Sequence, residues 1–208
     1  MKTTLLAMIA STVLGTSAMA DNFDHTTTTL TATTGNLEFS AMGTIDNSNL
    51  SIEDAFVVGA GAYVLPHTVG TMDAEVFVSG QYGEVDSAGT VRLGAEYLLS
   101  TSMDASTLTL GVEGAYVALS DDFSNGDVFL TPSVNLEVAL TDAVAVFGEV
   151  DYAFDASDDF NGKGGTVELG MAFAVTDMVA VRPSVVRGFD TNGLDTDTQA
   201  AVELTFNF

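Results

Sequence analysis

Nine carboxylates, Glu38, Glu75, Glu96, Glu113, Glu137, Glu149, Asp151, Glu168 and Glu203, fall on the same alternate positions as runs of Gly, Ala, Ser and Thr. Arg92 and Arg182 are the bases that share those positions. Enclosed together, such groups can form a salt-bridged polar core. Surplus acids must instead neutralise or recruit water and cations. Catalysis fits less well. A general base or nucleophile relay needs a histidine or serine beside its carboxylates, yet His25 lies in a Thr-rich N-terminal stretch and His67 beside Pro66 in a turn. Neither an enzyme nor a cofactor is expected. A second grouping, Asp190, Asn192, Asp195 and Asp197 around Gly193, has oxygen ligands at alternate positions but lacks EF-hand spacing and its closing Glu. It reads first as solvated, turn-forming Asp, Asn and Gly, with a weak divalent-cation site as the alternative.

Strands must position these groups. Alternating segments lie near 35–45, 54–65, 72–82, 89–100, 106–119, 128–140, 143–154, 164–175, 178–188 and 197–208. Their length is close to the roughly 9–11 residues with which a tilted strand crosses a bilayer. The last segment ends on Val202, Leu204, Phe206 and Phe208 at every second position, a terminal aromatic pattern like the insertion signal of bacterial outer-membrane barrels.

The other end carries an address. Lys2, the apolar stretch Leu5 to Leu14 and Ala18-Met19-Ala20 form a secretory signal peptide over residues 1–20. Residues 21–34 are expected to be a flexible periplasmic leader, or else to prolong the first strand. The barrel is then placed at 35–208.

Composition narrows the class. With 29 acids against 5 bases and a net charge of −24, nucleic acid is excluded as a partner. Disorder is excluded by 47% hydrophobic residues and a mean hydropathy of +0.32. There is no cysteine, hence no disulfide framework. After the signal peptide no apolar run approaches 18 residues, so any membrane crossing is made by strands.

Connections alternate in kind. Thr141-Asp142, Thr176-Asp177 and the stretch Thr101 to Ser106 are short, whereas 120–127, 155–163 and 189–196 are longer and rich in Asp, Asn and Gly. Short periplasmic turns and longer outer loops are an outer-membrane pattern. With both termini periplasmic the strand number is even, ten, with eight as the alternative.

Three features turn the apolar face toward lipid rather than into a soluble sandwich core. Tyr63, Tyr82, Tyr97, Tyr116 and Tyr152 are assigned to that face near strand ends, as an aromatic girdle. Arg187 is on it only at an outer end, where it can snorkel. The opposite face, small and singly acidic, suits a confined interior.

The turns Leu140-Thr141-Asp142-Ala143-Val144-Ala145-Val146 and Val175-Thr176-Asp177-Met178-Val179-Ala180-Val181 resemble the strand, Thr-Asp, strand turns of small outer-membrane barrels of the OmpA, OmpX and opacity-porin type. The resemblance implies an all-β, antiparallel, up-and-down transmembrane β-barrel in the outer membrane of a Gram-negative bacterium, with interior Arg and Glu salt-bridged. Counting from the turns puts Arg182 level with Glu96, Glu137 and Glu203, and Arg92 nearer Glu113, Glu149 and Glu168. No periplasmic peptidoglycan-binding domain of the OmpA kind is expected. The expected function is a narrow cation-favouring pore with a hydrated lumen or, if the core is plugged, a structural membrane component. A surface adhesin acting through acidic loops is the alternative. Expected partners are outer-membrane lipid and lipopolysaccharide, the barrel-assembly machinery, and divalent cations at the outer loops.

Overall fold

The computed structural model describes residues 25–46, 51–85, 88–119, 122–190 and 193–208. They form β1 (His25–Thr34), β2 (Leu37–Asp46), β3 (Ser51–Val69), β4 (Met72–Val85), β5 (Ala88–Met103), β6 (Ser106–Leu119), β7 (Asp122–Thr141), β8 (Val144–Asp155), β9 (Asn161–Thr176), β10 (Val179–Asp190) and β11 (Gly193–Asn207). Neighbours in sequence pair antiparallel, and the sheet closes where β1 meets β11 in parallel. Closure leaves no strand edge, the condition for an extended backbone to lie in hydrocarbon.

The ten expected strands are β2 to β11. The eleventh, β1, occupies most of the segment expected to be a leader, so the even count was wrong. Its sequence, His-Thr-Thr-Thr-Thr-Leu-Thr-Ala-Thr-Thr, has nearly the same residue on both faces. Leu30 and Ala32 alone set one face apart from the threonines of the other, too little contrast for a period of two to reveal. The pairing Thr29↔Glu203 on one side and Thr29↔Met42 on the other nevertheless holds it in the wall. An odd count puts the start of β1 and the end of β11 at opposite ends of the barrel. Phe208 lies at the end of the tight turns, where Phe208 N donates to Thr33 O at 2.9 Å.

Those turns are built from local chemistry. In both Thr-Asp turns the hydroxyl accepts from the backbone two residues on, Ala143 N to Thr141 Oγ1 and Met178 N to Thr176 Oγ1, each at 3.2 Å. Gly35 and Gly70 take the left-handed φ of 61° and 63° in the β1–β2 and β3–β4 turns. At the other end, much of what reads as loop continues the ladders: Asp122 pairs with Leu119, and Asp155 with Asn161.

Burial is inverted relative to a soluble domain. Among the described residues the buried apolar ones are Ala74, Ala115, Ala118, Ala145, Ala200 and Ala201 with Leu98 and Phe147, whereas Leu93, Leu136 and Leu169 are 48%, 44% and 64% exposed. Glu38, Asn135, Arg182, Ser184 and Glu203 are buried. The strands therefore turn most of their large aliphatic side chains outward and most of their charged ones into the barrel.

Candidate functional site: the acidic lumen

Strand register sets which side chains meet inside. Glu203 pairs with Arg182, Asn135 with Glu149, Glu149 with Glu168, Ser133 with Asp151, and Glu96 with Glu113. Glu38 sits opposite Gly61, Glu75 opposite Leu98, Glu137 opposite Phe147, and Arg92 opposite Gln81. All nine predicted carboxylates and both arginines thus share the inward parity.

Arg182 organises one side. Its Nη2 is 3.6 Å from Glu137 Oε2, and its Nε is 3.5 Å from Glu203 Oε2, an ion-pair distance without the alignment of a hydrogen bond. Its guanidinium carbon lies 4.1 Å from the centre of the Phe147 ring. Glu137 belongs to β7 and Arg182 to β10, so this contact reaches past β8 and β9. Glu203 also accepts from Thr205 Oγ1 at 2.8 Å, and Glu149 from Asn135 Nδ2 at 2.9 Å. Asp151 accepts from both the amide and the hydroxyl of Thr166.

Arg92 organises the other side more locally. It binds Glu113 on the adjacent β6 through Nε, at 3.3 Å from Oε1, and through Nη2. Glu96 accepts from Ser133 Oγ at 3.5 Å. Being Glu113's cross-strand partner, Glu96 belongs with Arg92 and not at the depth of Arg182 as expected. Strand tilt in a barrel moves residues counted equally from their turns to different depths. A cavity of about 200 Å³ opens between these groups, bordered by Glu38, Ser40, Tyr63, Phe77, Glu96 and Glu113.

Tyr63 corrects the girdle. Its hydroxyl donates to Glu38 Oε2 at 3.4 Å, and its ring packs on Phe77 with centroids 4.7 Å apart. It points into the lumen. The inward parity of β3 is Gly59, Gly61 and Tyr63, and both faces of that strand look apolar, so hydrophobicity alone misassigned the tyrosine. The glycines are the readable signal. A Cβ on Gly59 would lie 2.8 Å from Ser40 Oγ, and one on Gly61 would overlap the Phe77 ring. Gly94 and Gly111 likewise give up their side-chain space to Glu113 and Glu96.

The other four tyrosines face outward. Tyr82 packs with Phe56, Tyr116 with Phe123, and Tyr152 with Phe154 and Phe189, all toward the loop end. Tyr97 lies nearer the turns, its hydroxyl 3.1 Å from His67 Nε2. Val202, Leu204, Phe206 and Phe208 alternate with the buried Ala201, Glu203 and Thr205, and Phe208 is the most exposed of them. Asn192 and the side chains of Asp190, Asp195 and Asp197 lie outside the described residues. Elsewhere at the loop end Lys163 Nζ reaches Asp155 at 3.3 Å and Asp158 at 3.6 Å. The hydrogen bond with Asp155 is the main cause that raises the lysine's pKa.

Phe77, Phe147 and Thr205 were not anticipated as lumen residues, whereas Ser133 and Asn135 share the polar face of Glu137 that alternation marks. Their inward parity is legible once each strand's face is known, but their partners come from register.

Neither a family model nor a curated protein sequence matches the chain. Among solved structures its fold is similar to KdgM porin, with a TM-score of 0.51 and 11% identity over 85% of this chain and 86% of that one. KdgM porin in complex with disordered oligogalacturonate aligns with the same TM-score and coverage at 12% identity. The anion-selective porin from Comamonas acidovorans aligns at a TM-score of 0.41 and 12% identity, over 81% of this chain and 57% of that one. The likeness is one of fold: a closed, almost wholly antiparallel barrel of the porin kind.

Proposed function

We propose that the chain is an integral outer-membrane barrel whose acidic, hydrated lumen acts as a narrow cation-favouring pore. The observation that carries this reading is the imbalance inside: nine carboxylates on the inward parity, with Arg92 and Arg182 as the inward bases among the described residues. Charges held in a low-dielectric wall focus potential along the axis and concentrate counter-ions. A surplus of carboxylate stays ionised only with water or cations beside it. The KdgM structure is described with oligogalacturonate, itself an anionic chain; the lumen chemistry here favours the opposite sign.

The exposed aliphatic belt and the outward Tyr82, Tyr116 and Tyr152 support seating in a bilayer. Val202, Leu204, Phe206 and Phe208 would then be presented to the assembly machinery, and the acidic loop end would meet lipopolysaccharide and its divalent ions. Reversal potentials across a planar bilayer separating unequal KCl concentrations test the pore. A potential of the sign for K⁺ over Cl⁻ is expected. An anion preference, or no conductance from correctly folded barrel, overturns the reading.

A further inference from the structure

The lumen already contains one complete recognition site for an organic cation, and the chain fills it itself. The guanidinium of Arg182 lies over an aromatic ring, Phe147, with carboxylates at its edge from Glu137 and Glu203. An aromatic surface with flanking acids is the arrangement that holds a weakly hydrated planar cation in a partly desolvated place.

The same ingredients recur across the lumen. Tyr63 and Phe77 form a ring pair tilted by 38°, with Glu38 hydrogen-bonded to the tyrosine and Glu96 on the neighbouring wall. Both rings and both acids border the 200 Å³ cavity. Arg92 borders the same cavity, its charge engaged by Glu113 through the guanidinium fork. Tyr63 also borders a second opening of about 440 Å³ at the turn end, lined by Asp73, Glu75, His67 and Ser100. Within it Glu75 Oε1 is buried with no hydrogen-bond partner among the described residues. Tyr63, shared by the two linings, therefore stands between the turn-end opening and the interior cavity. Gly59 and Gly61 keep the floor open, because side chains there would collide with Ser40 and Phe77.

We infer that the Tyr63–Phe77 ring pair, with Glu38 and Glu96, is a binding site for small organic cations of the guanidinium or alkylammonium class entering from the turn end of the barrel. The inference rests on the reading of the lumen as hydrated and reachable, and deepens it by naming a solute class. A hydrated inorganic ion gains little from the rings, whereas a guanidinium gains from both the π-face and the carboxylates. The site selects for charge and flatness together.

The test is calorimetric titration of folded barrel in detergent micelles with agmatine, and with butylurea as a flat neutral counterpart. Conductance of the same preparation is measured in planar bilayers. Saturable binding of agmatine, absent for butylurea and weakened at least about tenfold in Phe77→Leu, is the expected result. Should that variant not fold, Glu96→Gln is expected to weaken binding in the same direction. A conducting barrel that fails to bind agmatine, or binds both compounds alike, overturns this site and leaves the pore. Agmatine binding unchanged in every folded variant also overturns it. Saturable binding by a barrel that never conducts supports the site and removes the pore.

Discussion

Arg182 and Arg92 are the same residue type on the same inward parity, yet the barrel uses them differently. The side chain of Arg182 is 9% exposed and ties together β7, β8 and β11 from its place on β10. That of Arg92 is 34% exposed and ties β5 to the adjacent β6. The first is a clip across the lumen, and the second a local pair facing water. Depth of burial and the number of walls engaged, not charge, distinguish a structural arginine from one that tunes the field.

Removing the clip should have the largest effect. Arg182→Met removes the guanidinium that Glu137 and Glu203 both face. Breaking a buried pair in this way costs about 3–5 kcal/mol, read as a lower temperature for the loss of compact mobility on unboiled gels. Replacing the whole set, with Glu137→Leu and Glu203→Leu added, should recover most of that loss. No recovery would mean the clip is not electrostatic in origin.

An arginine introduced well within the outer face sharpens the same comparison. Leu169, the most exposed of the large aliphatics on β9's outer face, changed to Arg should destabilise folding into bilayers by about 2–4 kcal/mol, less if it sits near an interface. The same substitution in detergent should cost less.

Arg92→Met should change stability by no more than about 1 kcal/mol, because a partly exposed pair is screened. It should move the reversal potential further toward cations. Added salt should erode the stability contribution of the Arg92 pair and leave that of Arg182 nearly unchanged, as measured by the two variants' melting shifts at low and high KCl.

The smallest effect is expected at Thr29, which is 3% exposed and whose Oγ1 is buried without a partner among the described residues. Thr29→Val removes that hydroxyl at constant shape. Stability should hold or rise by up to about 1 kcal/mol, so a large loss would point to a bridging water beside Glu203.

Ten strands, their approximate bounds and the outward turn of Leu93, Leu136 and Leu169 were readable because large aliphatic and small polar residues alternate on them, and that contrast is local. β1 was not readable, since a threonine run broken only by Leu30 and Ala32 presents two nearly alike faces, and pairing with β2 and β11 gives it a side. The parity of Tyr63 was hidden by a strand apolar on both faces. The acids and arginines of the lumen were nameable from the sequence, but their partners were not, because tilt and register bring together residues distant in the chain.

By itself the sequence determined the strand period, the tight Thr-Asp turns, the acidic surplus and the face on which it lies, all consequences of residue type at short range. The tertiary structure alone decided the odd strand number, the parallel closure of β1 on β11, the reach of Arg182 to β7 and the meeting of Tyr63 with Phe77 and Glu38. Those follow from closing the sheet, a condition no single strand contains: the last register is set only when every backbone donor at the seam must find an acceptor.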